Sequence, residues 1–183
     1  MALLETPITD KSFTLKDFKL PGIDRKIYNI SDSKLDNGLV VAFICNHCPY
    51  VQAIADKIVR DAYDLAEIGI GFVGINSNDS EAYPDDSFDN MIVFAAKHKF
   101  NFKYLFDDTQ EVAKAYNAVC TPDFFCFDKN FKLQYRGRLD SAGKNDVPDA
   151  KRELFNIMQL IANNQSIENI RQYPSIGCSI KWK

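Results

Sequence analysis

The sequence of 183 residues contains no apolar run that approaches the about 20 residues of a membrane-spanning helix. It also lacks a basic excess, since 22 Lys and Arg stand against 25 Asp and Glu and the net charge is -3. This balance gives no electrostatic reason to expect nucleic acid or an anionic membrane as a partner. Residues 1–11 have no basic start followed by an apolar core, so they do not resemble a secretory signal.

The cysteine count is 5, an odd number that does not suit a framework of structural disulfides. In a chain without a leader, such a count is typical of a reducing compartment, where a disulfide is catalytic rather than structural. We therefore expect a cytoplasmic protein. The length and the 46% hydrophobic content predict one well-buried domain over residues 1–183, with an N-terminal extension over 1–30 and a C-terminal tail over 164–183.

Two cysteines, Cys45 and Cys48, lie where an apolar strand passes into a helix. The pattern predicts a buried strand over Leu39–Ile44 and an amphipathic helix over Tyr50–Ile68. At such a junction, unpaired amide groups and the positive helix end favour a thiolate over a thiol. We predict that Cys45 is the nucleophile and Cys48 the resolving thiol of a redox pair. A charged His47 would lower the pKa of Cys45 and make the pair more oxidising, whereas a solvated side chain is the alternative.

The remaining pattern alternates strands with helices. Predicted strands lie at 70–75, 102–106, 124–127 and 131–135, and predicted helices at 88–97, 108–118 and 149–163. Short apolar stretches at 13–15 and 26–30 predict a hairpin ahead of the main fold. The polar stretch at 76–89 carries five acidic residues without the spacing of a calcium loop, so we expect it to be solvated: Asp79, Glu81, Asp85, Asp86 and Asp89.

Thr121 and Pro122 precede a predicted strand, where a proline is tolerated because it removes no ladder donor. A cis bond between them would expose the backbone of Thr121 beside the dithiol, where it could pair with an extended substrate. Cys120 and Cys178 are candidates for additional redox thiols, Cys120 from this loop and Cys178 from a tail that could fold back; a packed small residue is the alternative. Cys126 lies in an apolar run and is expected in the core.

This order of elements resembles the thioredoxin-like superfamily, with the N-terminal extension of its alkyl hydroperoxide reductase and thiol-specific antioxidant (AhpC/TSA) branch. Three motifs narrow the resemblance to a peroxiredoxin-like subgroup with a Cys-Asn-His-Cys-Pro-Tyr motif: Phe43–Val51, Cys120–Phe124 and Ser175–Lys183. The resemblance implies an α/β fold, namely a three-layer α/β/α sandwich with a mixed central sheet and an N-terminal β-hairpin extension. It also implies that Pro122 is a cis-proline.

The chain departs from thioredoxins at two positions near the dithiol. Ile44 stands where thioredoxins have a tryptophan, and Leu39 stands where they keep a buried aspartate six residues ahead of the nucleophile. The proton acceptor that this carboxylate would provide must therefore be another group or water.

The chain departs from peroxiredoxins as well, because the pattern Pro-x-x-x-Thr/Ser-x-x-Cys is missing. Gly38 and Ala42 occupy the proline and hydroxyl positions ahead of Cys45. Arg136 and Arg138 could polarise an oxygen substrate, but we expect arginines at the end of a hairpin to be solvated. Efficient peroxide reduction is therefore not expected.

Three functions remain open. The leading one is a thiol–disulfide oxidoreductase, with Thr121 and Pro122 binding the substrate and a thioredoxin or glutathione system as the reductant. The second is a thiol-dependent peroxidase with Cys45 as the peroxidatic cysteine. The third is a copper or zinc carrier, although no second Cys-x-x-Cys completes a tetrahedral set. We predict no cofactor and no resident metal; the substrate would be a disulfide or a peroxide.

Overall fold

A computed structural model describes residues 2–183 of the chain. The strands in chain order are β1 (Leu3–Glu5), β2 (Leu20–Pro21), β3 (Ile27–Tyr28), β4 (Gly38–Phe43), β5 (Ile70–Asn76), β6 (Lys103–Phe106), β7 (Cys120–Thr121), β8 (Asp123–Asp128), β9 (Leu133–Gly137) and β10 (Ile176–Ser179). The α-helices are α1 (Pro49–Gln52), α2 (Ala55–Glu67), α3 (Phe88–Lys97), α4 (Glu111–Tyr116) and α5 (Glu153–Ala162), and short 3-10 helices lie at Ile30–Asp32 and Pro84–Asp86. Over residues 2–183, no helix combines the length and the apolar character that crossing a membrane requires.

The centre of the fold is a mixed sheet of five strands in the order β6-β5-β4-β8-β9. Strands β5 and β6 run parallel, whereas β8 is antiparallel to both β4 and β9. Directly after β4, the Ile44 N–H donates a 2.9 Å hydrogen bond to the Ile75 carbonyl of β5. The predicted α/β fold with a mixed central sheet is confirmed.

Strand β4 is buried along its whole length because both faces of the sheet are covered. Side chains alternate between the faces of a strand. Val40 and Ala42 therefore pack in the cluster that contains residues of α2, α3 and α5, whereas Leu39 and Val41 pack with residues of α4 and the N-terminal segment. This layering brings the end of β4, and with it Cys45, to the edge of a rigid core.

Two predicted elements differ from the structure in their details. The helix predicted over 50–68 is divided into α1 and α2, because the chain tightens at Ile54, whose N–H donates to the Val51 carbonyl three residues back. The N-terminal hairpin is present, but β2 and β3 form it. The predicted strand at 13–15 makes an isolated bridge, while the Phe13 ring packs on Tyr116; its apolar pattern reflects burial rather than strand pairing.

The C-terminal residues form β10, which lies between β1 and β7 in a second, three-stranded sheet and is antiparallel to both. Cys178 stands opposite Leu3 on one side and Thr121 on the other. The two ends of the chain therefore meet beside the loop that carries Pro122.

Candidate active site

The dithiol lies in the turn between β4 and α1. Cys48 is the N-cap of α1 and Pro49 is its first residue, a position where proline needs no donor of its own. Cys45 is 1% exposed and Cys48 is fully buried. The structure therefore places both thiols at the helix start, as the sequence predicts, but beneath the molecular surface.

Thr121 contacts both thiols. Its Oγ1 lies 3.2 Å from Cys45 Sγ, and its carbonyl oxygen lies 3.1 Å from Cys48 Sγ, which donates to it when protonated. The Thr121–Pro122 peptide bond is cis, the isomer that the resemblance implies. The sequence predicted an exposed Thr121 backbone, and this prediction is wrong. Strand β10 covers Thr121 and leaves the residue 2% exposed.

Cys178 is the third thiol of this cluster. It stands opposite Thr121, whose carbonyl oxygen lies 3.1 Å from Cys48 Sγ, and it is buried with the other two. Hydrogen bonds from Cys45 and then from Cys178 lower the pKa of Cys48 to about 5. Burial and the hydrogen bond to Cys48 raise the pKa of Cys178 to about 11.

The pKa values of the two thiols of the pair shift in opposite directions, and the role of Cys45 as the nucleophile stays a prediction. Burial, the hydrogen bond to Cys48 and the charge of Asp86 raise the pKa of Cys45 well above its usual range. The pKa of Cys48 is lowered by its two neighbouring thiols, whereas Cys45 lies close to a buried carboxylate.

That carboxylate, Asp86, is a candidate site residue that sequence reasoning missed. It belongs to the acidic stretch at 76–89 that we expected to be solvated, yet its side chain is fully buried. Its Oδ1 accepts hydrogen bonds from the backbone N–H groups of Asn46 (2.8 Å) and His47 (3.2 Å), and its Oδ2 accepts one from Asn78 Nδ2 (2.7 Å). The prediction that this acidic side chain is solvated is wrong, because the 3-10 helix at 84–86 turns it inward.

His47 joins the dithiol turn to Asp86. Its Nδ1 lies 2.5 Å from Asp86 Oδ2, and its ring stacks on Tyr83 at 5.7 Å with an interplanar angle of 5°. The imidazole is therefore held by a carboxylate and an aromatic ring rather than surrounded by water. Its predicted role in tuning the thiol pKa stays a prediction, now with Asp86 as a partner.

Asn46 fixes the rest of the turn. Its Oδ1 accepts a 2.9 Å hydrogen bond from the hydroxyl of the fully buried Tyr104, and its Nδ2 donates to the Asp85 carbonyl at 2.9 Å. Gln52 Nε2 donates to the Asn46 carbonyl at 2.8 Å. The turn between the two cysteines is thus anchored by the sheet, by α1 and by the loop before α3.

The remaining cysteines lie differently. Cys120 Sγ lies 3.6 Å from the Pro122 carbonyl, and burial raises the pKa of its thiol. Cys126 is fully buried opposite Val40 in the sheet, which confirms its predicted core position. Of the two candidates for an additional redox thiol, Cys178 stands opposite Thr121, the residue that contacts both thiols of the pair.

Arg136 and Arg138 were expected to be solvated, but both are paired with carboxylates. Arg136 is 7% exposed and forms a bidentate pair with Asp123, at 3.1 and 2.7 Å, while its guanidinium stacks on Phe125. Arg138 pairs with Glu153 at 2.5 and 3.0 Å. Both guanidinium groups are engaged by carboxylates because α5 and the start of β8 bring acidic side chains to the hairpin.

One group of side chains has the chemistry of metal ligands. Cys45, His47 and Asp86 offer a thiol, an imidazole and a carboxylate whose ligand atoms lie within 4.8 Å of one another. A thiolate and an imidazole would suit zinc or copper. However, the 2.5 Å hydrogen bond between His47 Nδ1 and Asp86 Oδ2 already joins two of these groups directly, so a metal bound through those atoms would have to replace it.

A mixed sheet with a Cys-x-x-Cys turn after its central strand, facing a cis-proline, defines the thioredoxin-like fold. Comparison with protein families matches residues 13–136 to the AhpC/TSA family. The chain belongs to this family, which comprises thiol oxidoreductases and peroxidases. A search of curated proteins gave no significant match.

Solved structures similar to this chain include two of high identity. An uncharacterized conserved protein from Geobacillus kaustophilus is 41% identical, with a TM-score of 0.92 over 100% of this chain and 97% of that one. A hypothetical protein from Sinorhizobium meliloti 1021 is 35% identical, with a TM-score of 0.90 over 98% and 97%. A secreted Mycobacterium tuberculosis disulfide oxidoreductase homologous to E. coli DsbE is 19% identical, with a TM-score of 0.59 over 77% and 93%, which shows the fold alone.

Proposed function

We propose that this protein is a thiol–disulfide oxidoreductase whose Cys45–Cys48 pair exchanges with a disulfide substrate. The observation that carries the proposal is the contact of both thiols with Thr121, at 3.2 and 3.1 Å, on a turn anchored to a buried carboxylate. A dithiol needs two sulfur atoms within reach of each other and a thiolate among them. Both sulfur atoms contact the same residue, Thr121, and the lowered pKa of Cys48 supports a thiolate between them.

In the proposed reaction, the Cys45 thiol passes its proton to the neighbouring Cys48 thiolate. The Cys45 thiolate attacks one sulfur of the substrate disulfide, forms a mixed disulfide and releases the other sulfur as a thiolate. Cys48 then gives its proton to the His47–Asp86 pair and attacks Cys45 Sγ, so that the Cys45–substrate bond breaks and the substrate leaves with its second sulfur as a thiolate. The dithiol is oxidised by two electrons, and the substrate disulfide gains them.

The His47–Asp86 pair would take part as the local proton acceptor. Thioredoxins keep a carboxylate at the position that Leu39 occupies here, and Asp86 brings one to the same turn from a different loop. Because His47 is hydrogen-bonded to Asp86 and lies within 4.8 Å of Cys45, it could receive a proton from the thiols and hold it beside the carboxylate. The physiological reductant would be another thiol system, such as thioredoxin or glutathione.

Reduction of insulin disulfides by the protein, with dithiothreitol as the electron source, tests the proposal. We expect Cys45→Ser and Cys48→Ser to lose the activity, and Cys126→Ala, which alters a buried thiol in the sheet, to keep it. Insulin reduction by Cys45→Ser at the rate of the parent would overturn the assignment.

A thiol-dependent peroxidase is the second candidate, and the Thr121 hydroxyl near Cys45 favours it. Peroxiredoxins place a hydroxyl beside the peroxidatic cysteine, and Thr121 Oγ1 lies 3.2 Å from Cys45 Sγ, although it comes from another part of the chain. Against this candidate, the carboxylates of Asp123 and Glu153 hold Arg136 and Arg138. Consumption of hydrogen peroxide that depends on added thiol and is lost in Cys45→Ser would support a peroxidase; no consumption with several thiol donors would exclude it.

A further inference from the structure

We propose that Cys178 is a third redox thiol, and that β10 holds it against Thr121 as an internal substrate which exchanges with the Cys45–Cys48 disulfide. The inference rests on the proposed function, because it needs that disulfide to form. It adds a third thiol to the reaction and gives a role to β10, the strand that covers the dithiol.

The first argument is the position of β10. The backbone edge at Thr121 is where an extended substrate would pair beside the dithiol. In this structure Cys178 stands directly opposite Thr121, in antiparallel register, with Ser179 opposite Cys120. The chain therefore fills its own substrate edge with a strand that carries a cysteine opposite Thr121.

The second argument is the close fit of β10 to the cis-proline loop. A Cβ atom on Gly177 would clash with the Thr121 carbonyl oxygen and crowd the Pro122 nitrogen, so glycine allows the strand to approach this closely. Just before β10, Ser175 Oγ donates a 2.8 Å hydrogen bond to the Pro122 carbonyl. These contacts fix Cys178 opposite Thr121, whose carbonyl oxygen lies 3.1 Å from Cys48 Sγ.

The exchange step balances without an external oxidant. When Cys45 and Cys48 are joined, Cys178 gives up its proton and its thiolate attacks Cys48 Sγ. The Cys45–Cys48 bond breaks, a Cys48–Cys178 bond forms, and Cys45 leaves as a thiolate that accepts a proton. The protein retains one disulfide and one thiol, and no electrons are gained or lost.

The consequence is a redox-controlled cover. A Cys48–Cys178 disulfide would tie β10 to the start of α1 and keep the Thr121 edge closed to other strands. Reduction of that bond leaves β10 held by non-covalent contacts, which an extended peptide carrying a disulfide can replace. An external substrate of this class therefore competes with the chain's own C-terminal strand.

Disulfide mapping of the full-length protein tests the inference. Trypsin leaves Cys45 and Cys48 together in peptide 35–57 and Cys178 in peptide 172–181, so a Cys48–Cys178 bond links two peptides. We expect oxidation with glutathione disulfide, followed by thiol blocking in acid, to give this linked pair in the parent and as the main product in Cys45→Ser. Absence of the linked pair from both proteins would overturn the inference.

Gly177→Ala tests the role of β10 without removing a thiol. The clash with Thr121 should displace the strand and reduce the yield of the linked pair by about tenfold or more, while the Cys45–Cys48 disulfide still forms. Ser179→Ala, in the same strand, is the matched control and should give the parental yield. A parental yield in Gly177→Ala would contradict the placement of Cys178 by β10.

Insulin reduction separates the failure of this inference from the failure of the proposed function. Ser179→Ala retains all three thiols, so the proposed function predicts that it still reduces insulin. If the parent and Ser179→Ala reduce insulin but the linked peptides never form, the inference alone is wrong. If the linked peptides form but neither protein reduces insulin, the placement of Cys178 stands and the proposed function is wrong.

Discussion

Asp86 Oδ2 lies 2.5 Å from His47 Nδ1, so the loop before α3 supplies a fully buried carboxylate to the dithiol turn. The same side chain accepts hydrogen bonds from the backbone N–H groups of Asn46 and His47, the two residues between the cysteines. One carboxylate therefore both fixes the turn and places a negative charge near Cys45.

Replacing Asp86 with Asn should change both properties. Because the charge of Asp86 contributes to the raised pKa of Cys45, its removal should shift the reaction of Cys45 with iodoacetamide to lower pH. Weaker hydrogen bonds to the turn should lower the free energy of unfolding by about 1–3 kcal/mol. Thiol alkylation as a function of pH and urea unfolding measure the two effects.

The neighbouring exposed residue provides the control for that experiment. Asp85→Asn removes a carboxylate one position away, on a side chain that points to the surface, and should leave the alkylation profile unchanged. Identical profiles for Asp86→Asn and the parent would show that Asp86 does not act on Cys45.

Thiolate absorbance should report the ionisation of Cys48. Its pKa is lowered to about 5 from an ordinary value of 9.0, so the reduced protein should gain one thiolate with a midpoint near pH 5. Ultraviolet titration of the parent, Cys48→Ser and the control Cys126→Ala measures this; the signal should be lost only in Cys48→Ser. A first midpoint near pH 9 in the parent would contradict the prediction.

The same shift has a consequence for stability. Because the folded pKa of Cys48 lies below its unfolded value, ionisation of Cys48 stabilises the folded state. This stabilisation is complete above about pH 9 and is lost as the pH falls through about 5. The pKa of Cys178 is raised to about 11, so its contribution has the opposite sign and destabilises the fold between pH 9 and 11. Urea unfolding of the reduced protein should therefore show stability that rises from pH 5 to 9 and then declines; a pH-independent difference between the parent and Cys48→Ser would argue against this linkage.

Tyr104→Phe should loosen the dithiol turn without altering a thiol. It removes the hydroxyl that donates to Asn46 Oδ1 at 2.9 Å and leaves a buried amide oxygen with one partner fewer. We expect a loss of about 1–2 kcal/mol in the free energy of unfolding and faster alkylation of Cys45. Tyr63→Phe is the control, since Tyr63 is 60% exposed and should give parental values; equal values for both variants would mean that the Tyr104 hydrogen bond does not stabilise the turn.

Arg136→Met should be among the more destabilising changes outside the dithiol. It would leave the Asp123 carboxylate fully buried without its bidentate partner, at a cost of about 3–5 kcal/mol. The double variant Arg136→Met/Asp123→Asn removes the unpaired charge and should recover part of the loss. Urea unfolding of the parent, the single variant and the double variant measures these free energies. Lys26→Ala, at an exposed ion pair, is the control and should cost less than about 1 kcal/mol.

The sequence predicted best those elements that are specified by residues close to one another in the chain. The bounds of α3 match the prediction over 88–97, and β4 matches within one residue, because periodicity and flanking turn residues specify such elements. The Cys-x-x-Cys turn was equally local. Asp86, in contrast, reaches His47 across 39 residues, and a carboxylate in a polar stretch carries no mark that it will be buried.

The cover over the dithiol was beyond sequence reasoning for a related physical reason. A tail that could fold back was expected, but the register that sets Cys178 against Thr121 depends on pairing across the whole chain. Gly177 was an available clue, because a glycine within a short strand can mark a close approach of two backbones. It does not say which backbone approaches.

The sheet β1-β10-β7 joins the first and last strands of the chain, and the Ser179 N–H donates to the Ala2 carbonyl at 3.0 Å. Release of either terminus therefore removes pairing from the other. Access to the thiols then becomes a local unfolding equilibrium, in which the fraction of molecules with open termini sets the observed reaction rate when opening and closing are fast. An affinity tag fused at either end of the chain adds mass next to this sheet, so thiol reactivity should be compared between tagged and tag-free protein.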